Sequence, residues 1–272
     1  MPELPEVETW RRLAEAASLG QRILRATCAE DRIVMDQTPP AELSRNLEGR
    51  RILATGRRGK HMWLQLDPPG FLYLHFGMSG SLWHLRGEET DPTHAKLLLH
   101  LEDGTRLLYR NPRRIGKIRW HPDILQAPPI AALGPDPLLE TLSVPGLQAA
   151  FARSRRPVKS ALLDQSLFAG VGNWIADELL YQCGLNPHTP VCTLDAKTLR
   201  RLVRKLKDIL ELAVSAGADD SQFPATWLFH HRWGKQAETT ARGERIQYDT
   251  IAGRTCAWVP ERVRDLDPPR RG

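Results

Sequence analysis

Hydrophobic spacing changes period half-way along this chain, and the change divides it into a β half and an α half. Up to residue 120, short alternating or apolar runs recur at Arg22–Thr27, Arg51–Thr55, His61–Leu66, Phe71–Phe76, Lys96–Leu101, Arg106–Tyr109 and Gly116–Trp120. Turn residues such as Asp67-Pro68-Pro69-Gly70 and Glu102-Asp103-Gly104 separate them. Side chains alternate across a strand, so each run can bury one face, and many short runs at this spacing predict a β-sandwich or barrel. One amphipathic helix, Val7–Ala17, leads into them. Beyond the Pro/Gly-rich stretch Ala127–Pro145 the period becomes helical, at Val144–Arg153, Ser160–Asp164, Trp174–Cys183, Asp195–Ala216 and Pro224–His230. The longest helix carries a stripe of Leu199, Leu202, Val203, Leu206, Ile209, Leu210 and Ala213. Strand-like Arg245–Tyr248 and Thr255–Val259 flank Asp249–Arg254 and predict a β-hairpin. The expected class is α+β. Its expected parts are a β-sandwich domain over 1–130, a hinge over 131–150, a helical domain over 151–235, a hairpin over 236–262 and a disordered tail over 263–272.

Composition narrows the function classes. No run of about 18 apolar residues occurs, which excludes an ordinary membrane-spanning helix. The front of the chain also lacks the charged-then-apolar layout of a signal peptide. Cys28, Cys183, Cys192 and Cys256 form no C-x-x-C pair, which argues against a disulfide framework or a cysteine zinc site and suits a reducing compartment. A net charge of +6, carried largely by arginine, fits a polyanionic partner. Taken alone that signal is weak.

Chemistry enters at Met1-Pro2-Glu3-Leu4-Pro5-Glu6-Val7-Glu8-Thr9. Loss of Met1 would leave Pro2 with a secondary amine able to attack a sugar aldehyde carbon and form an iminium ion. Such terminal amines titrate near pH ~8, well below lysine, so a useful fraction is nucleophilic at neutral pH. Glu3 beside it can exchange protons with whatever Pro2 attacks. The bland alternative is a polar, frayed terminus. Lys60, in Gly56-Arg57-Arg58-Gly59-Lys60-His61, is either a solvated charge at a strand start or a second proton-transfer group. Met78, in His75-Phe76-Gly77-Met78-Ser79-Gly80, either folds onto the core or wedges into a base stack. Arg113, Arg114 and Ile115 form an exposed turn suited to a groove or lesion gap. In Phe168-Ala169-Gly170-Val171-Gly172-Asn173-Trp174, the glycines open backbone N–H groups to a phosphate and Asn173 can cap the following helix, with Lys159 serving the same phosphate.

Together these pieces resemble the formamidopyrimidine-DNA glycosylase/endonuclease VIII family. PELPEVET, GRRGKHMWLQL, HFGMSGSL, NPRRIGKI, LGPDPL, GVGNWIADELLY and AGRTCAWVP carry the resemblance, in collinear order over nearly the whole chain. It implies an N-terminal β-sandwich with a leading helix, a C-terminal helix–two-turn–helix DNA-binding domain and a hairpin finger, with DNA lying across the cleft between the halves. It implies a bifunctional glycosylase and abasic-site lyase acting on damaged double-stranded DNA as a monomer, with no metal or other cofactor and no membrane. Pro2 would be the nucleophile at C1′, Glu3 the acid/base group, Lys60 a proton-transfer group in β-elimination, and Arg254 the finger arginine tied to phosphate binding and δ-elimination. Asn173 and Lys159 would hold phosphates, with His94, Arg113, Arg114, Met78 and Ile115 as further DNA contacts. The implied compartment is the nucleoid-containing cytoplasm in a bacterium and the nucleus in a eukaryote.

Three departures refine the expectation. Zinc-finger members carry two cysteine pairs around the hairpin, whereas this chain has Gly243-Glu244-Arg245-Ile246 and Val259-Pro260-Glu261-Arg262 there, which predicts a zincless finger held by hydrophobic and backbone contacts. His230 and His231 lack acidic or cysteine partners and read as structural. The segment after the long helix is compact, which shifts the expected substrates away from 8-oxoguanine toward formamidopyrimidines, hydantoins and abasic sites. Non-catalytic binding of damaged DNA, or an RNA-binding helical module, remains the alternative at this stage.

Overall fold

The computed structural model describes residues 2–87, 89–234 and 238–263. Met1 and residues 264–272 lie outside them, and with them the expectations about processing of the terminus and disorder of the tail. The chain divides into two compact units, Met1–Ala132 and Leu133–Gly272.

In the first unit, helix α1 (Leu4–Ser18) leads into strand β1 (Ile23–Cys28), helix α2 (Pro40–Leu47) and strands β2 (Arg51–Arg58), β3 (His61–Asp67), β4 (Gly70–His75), β5 (Ser81–Leu85), β6 (Ala95–Leu101), β7 (Arg106–Arg110) and β8 (Lys117–His121). Two antiparallel four-stranded sheets result, ordered β1-β6-β7-β5 and β2-β3-β4-β8. Alternation does the sorting. Met62, Leu64 and Leu66 of β3 face the interior with Leu72 and Leu74 of β4, and Leu97, Leu99, Leu101, Leu107 and Tyr109 join the same core from the other sheet. Val7, Ala14 and Ala17 seat α1 on that core. Burying a leucine-sized side chain contributes about 1.5–3 kcal/mol each, so this apolar layer is the main stabilising term of the unit.

Two elements escape the sequence pattern. Pro39-Pro40 looks like a turn but starts α2, because proline at a first helical position needs no N–H partner. The short β5 was hidden behind the glycine-rich loop that precedes it.

The second unit holds α3 (Val144–Phe151), α4 (Val158–Leu162), α5 (Asn173–Cys183), α6 (Ala196–Ser215) and the hairpin strands β9 (Gln247–Ile251) and β10 (Arg254–Trp258). Helix α5 is buried almost throughout and packs against α6, α4 and β10. Along α6 the predicted stripe is the buried face from Leu199 to Ala213 except at Val203, which is half-buried, and Asp195 caps its start by accepting from Thr198 N at 2.7 Å. The helix expected over Pro224–His230 is instead a single 3₁₀ turn, Leu228–His231. Ring packing among Trp174, Phe223, Trp227 and Phe229 sets its path. The hairpin turn is tighter than the sequence implied: Ala252 and Gly253 alone make it, both with positive φ (50° and 69°). A two-residue turn of that kind matches the twist of its strands and places Arg254 at the first position of β10.

Candidate functional site

Pro2 is half-buried and Glu3 is buried at the start of α1. Glu3 is the N-cap, and it forms a capping box with Glu6: each side chain accepts from the other residue's backbone N–H, with Glu6 Oε2 2.9 Å from Glu3 N. This exchange fixes the front of the helix and the carboxyl group next to Pro2. Burial, then the nearby Glu3 charge, pushes the Glu6 carboxyl up to about 7.

That shift has a testable sign. The native state holds the Glu6 proton between its ordinary pKa of 4.5 and about 7, so the associated stability is complete below 4.5 and lost as pH rises through 7. Glu6→Gln keeps the oxygen acceptor but cannot ionise. Its melting temperature is expected to gain on the wild type from pH 5 to about pH 7 and to level off above that; a pH-independent difference between the two melting curves would refute the assignment.

Lys60 sits at the β2–β3 turn, and a buried brace ties that turn to α1. Arg57, 4% exposed, donates from Nε to Glu8 Oε2 at 3.0 Å and from Nη1 to the Gly59 carbonyl at 2.9 Å. Glu8 also accepts from Arg11 (3.1 and 3.0 Å) and Arg12 (2.9 Å). Burial alone would raise the Glu8 carboxyl, but these hydrogen bonds outweigh it and hold it at about 2. The helix bearing Pro2 and Glu3 is thereby fastened to the residue preceding Lys60.

Behind Lys60, His61 and His75 face each other across β3 and β4, with ring centroids 4.9 Å apart. His61 Nδ1 lies 2.6 Å from the Tyr73 hydroxyl. Burial, then the facing His75 ring and the Lys60 and Arg119 charges, lowers His61 to about 3, and burial plus Lys60, Arg119 and Lys117 lowers His75 to about 4. Both are neutral at physiological pH, and the Lys60 charge helps to keep them so. Sequence reading missed this pair; its signal was two histidines at matching, outward positions of paired strands.

Met78, Arg113 and Ile115 lie exposed on two loops, and His94 lies exposed on a third. One buried residue, Asn111, knits all three, two through its side chain and the third through its backbone. Asn111 donates from Nδ2 to the Phe76 carbonyl (3.0 Å) and the Tyr109 hydroxyl (2.8 Å), and its Oδ1 accepts from Ile115 N (3.2 Å) and Gly116 N (3.4 Å). Its backbone N–H donates to the His94 carbonyl at 3.1 Å. Gly77, with φ 62°, must be glycine here, since a Cβ would come 2.7 Å from the Ile115 carbonyl. Replacing Asn111 with leucine strands buried donors and acceptors. The variant is expected to lose about 3 kcal/mol or more by denaturant titration; a loss under about 1 kcal/mol would show that the network is not cohesive. Arg114 is less available than its sequence position implied, because its Nε and Nη2 donate to Asp31 at 2.9 and 3.1 Å.

In the second unit, the expected phosphate role of Lys159 does not survive its burial. Its side chain is fully buried, its Nζ pairs with Asp177 and donates to the Asn173 carbonyl at 2.9 Å. Asp177 also accepts from Arg232 Nε (3.0 Å) and Nη2 (2.6 Å) and from Ala257 N (3.2 Å) of β10. Lys159 is therefore a structural cation that balances a buried carboxylate. Asn173 does not cap α5 either: Gly172 is the N-cap, and Asn173 Nδ2 donates to the Thr255 carbonyl of β10 at 2.8 Å. It thus joins the helix start to the hairpin, with the backbone N–H groups of the first turn of α5 adjacent. Arg254, at the hairpin tip, is exposed. His230 Nε2 lies 3.3 Å from the Phe223 carbonyl and the His231 carbonyl accepts from Tyr248 at 3.0 Å, both structural contacts. Among the described residues no group of three or more His, Cys, Asp or Glu could hold a metal ion, and no helix is long and apolar enough to cross a membrane.

Comparison with known proteins matches both units. Residues 1–118 match the family model for the formamidopyrimidine-DNA glycosylase N-terminal domain, and residues 133–225 match that for the formamidopyrimidine-DNA glycosylase H2TH domain. The chain is 37% identical to a formamidopyrimidine-DNA glycosylase of Arabidopsis thaliana over 96% of its length and 70% of the relative's. It is 40% identical to the Thermus thermophilus enzyme of that name, over 96% and 97% of the two chains. A Lactococcus lactis structure, in complex with DNA containing Fapy-dG, aligns with a TM-score of 0.84 at 27% identity over 97% of this chain and 100% of that one. A helix-led β-sandwich with its buried Glu3 cap, a helix–two-turn–helix unit and a terminal hairpin thus coincide with similarity along both units, and the chain belongs to the formamidopyrimidine-DNA glycosylase family and is a DNA glycosylase.

Proposed function

We propose that this glycosylase works in base excision repair on damaged double-stranded DNA, removing formamidopyrimidines and hydantoins through a Schiff base on Pro2 and then cutting the strand. With Met1 removed, the Pro2 nitrogen attacks C1′ of the damaged nucleotide and the base departs, while Glu3 exchanges protons with the opening sugar ring. The resulting iminium acidifies the C2′ hydrogens. Loss of one, with Lys60 as the proton acceptor, expels the 3′ phosphate by β-elimination. A second elimination expels the 5′ phosphate, with Arg254 bound to the strand. Base loss and strand cleavage then share one covalent intermediate.

The observation that carries this reading is the Glu8–Arg57–Gly59 brace, which joins the nucleophile-bearing helix to the Lys60 turn. Chemistry shared between Pro2, Glu3 and Lys60 needs those two places held at fixed positions, and this buried charged link supplies that support. Relatives support the substrate class: Lactococcus lactis structures hold DNA containing Fapy-dG, an abasic site or an oxidised pyrimidine. The segment between α6 and the Leu228–His231 turn supports the bias against 8-oxoguanine. It is anchored by buried Phe223 and Trp227, which leaves little chain to fold over an extruded base.

A cleavage panel tests the reading. Duplexes holding formamidopyrimidine, hydantoin, 8-oxoguanine, oxidised pyrimidine and abasic sites are expected to be cut with 8-oxoguanine the slowest lesion. Retarded mobility of every duplex without cleavage would instead identify a damage-binding protein.

A further inference from the structure

The two straps flanking the hairpin, 240–246 and 259–262, do not fit a zinc ion. Where the resemblance expects cysteines, this chain has Glu244 and Arg262, and these residues bond to each other. Arg262 Nε donates to Glu244 Oε1 at 2.6 Å, and the guanidinium lies 4.4 Å from the centre of the Tyr181 ring. Tyr181 donates its hydroxyl proton to Glu244 Oε2 at 2.7 Å, and Thr240 Oγ1 donates to the same oxygen at 2.9 Å. One carboxylate thus gathers the strap before the hairpin, the strap after it and helix α5. A guanidinium has no lone pair to give a metal, and its charge repels one. Arg245 N adds a hydrogen bond to Glu261 Oε2 at 3.3 Å, and Tyr181, Leu228, Ile246, Ala257 and Val259 close an apolar cluster beneath.

Hydrophobic and backbone contacts are therefore only part of what holds this finger. We propose that Glu244, Arg262 and Tyr181 form a metal-free clasp that does the cross-linking work of a zinc ion, holding the hairpin on α5 and so positioning Arg254. These are positioning residues. The chemical basis is a charge-assisted pair backed by a cation–π contact, each half-sheltered and each reinforced by the other. Asp177 complements it on the strand itself, through Ala257 N and Arg232. Only the consequence for Arg254 rests on the strand-cleavage reading above.

The test uses hydrogen exchange on the full chain, with Glu244→Gln, Arg262→Met and Arg262→Lys. Loss of a charge-assisted hydrogen bond is expected to raise exchange of the hairpin amides roughly tenfold in the first two variants, with the β-sandwich amides unchanged. Arg262→Lys, which keeps the charge, is expected to restore part of the protection. On abasic duplex at saturating concentration, the two loosened variants should form the borohydride-trapped adduct at wild-type rate while their products shift from δ- toward β-elimination. 1,10-Phenanthroline should leave wild-type exchange unchanged. Unaltered hairpin exchange in Glu244→Gln, or a hairpin loosened by the chelator in the wild type, would overturn the clasp. A wild type that cuts no damaged duplex would overturn the strand-cleavage reading alone, because exchange measures the clasp without it.

Discussion

Glu3→Gln is expected to remove formamidopyrimidine from duplex DNA about 10³-fold more slowly than the wild type, within the range assigned to a positioned general acid–base group. The substitution is chosen to spare the fold. Glutamine keeps an oxygen that can accept the Glu6 N–H of the capping box, and the Glu6 acceptor for the residue-3 N–H is untouched. Stability should therefore change by no more than about 1 kcal/mol, the usual worth of an N-cap. What disappears is the ability to give and take a proton beside Pro2. Cleavage of a preformed abasic site should suffer less, since no base has to leave. Single-turnover excision and abasic-site cleavage, measured with melting curves on the same protein, separate these effects; excision within tenfold of the wild type would remove Glu3 from the chemistry.

The second large effect is structural in origin. Arg57→Ala leaves Glu8, 5% exposed, without the guanidinium that reaches it from the sheet. Breaking a buried ion pair on one side costs about 3–5 kcal/mol, because the remaining charge is still desolvated. Arg11 and Arg12 remain bonded to Glu8, which argues for the lower end of that range. The pH dependence has a definite sign. In the wild type Glu8 sits at about 2 against an ordinary 4.5, so its contribution is present above 4.5 and is lost as pH falls toward 2. In the variant its carboxyl titrates higher, so the two proteins should converge in stability as pH falls below 4.5. Denaturant titrations at pH 7 and pH 3.5 measure this; an equal gap at both values would show that Arg57 acts through packing alone.

Much of the fold was legible because strands and helices repeat their pattern locally. Met62, Leu64 and Leu66 alternate with His61, Trp63 and Gln65, and the α6 stripe recurs every three or four residues. Both survive in the structure, with Val203 of the stripe half-buried rather than buried. The errors came where local pattern and tertiary packing disagree. Lys159 reads as a free basic residue near a glycine turn, and only the fold shows Asp177, 18 residues later, facing it in the interior. Arg57 and Glu8 are 49 residues apart, and nothing in either motif marks them as partners. Asn111, before a proline in a loop, has the profile of a turn residue; its burial follows from three loops converging on it. The residue types that the proposed chemistry uses are visible in the sequence at Pro2, Glu3 and Lys60. The supports that hold them are not.

Borohydride reduction of the processed enzyme on abasic duplex, followed by peptide mass mapping, tests the mechanism at its root. The adduct is expected on the Pro2 nitrogen and nowhere else, and protein retaining Met1 should give none. A sugar adduct on Lys60, or full cleavage by chains with Met1 in place, would contradict it.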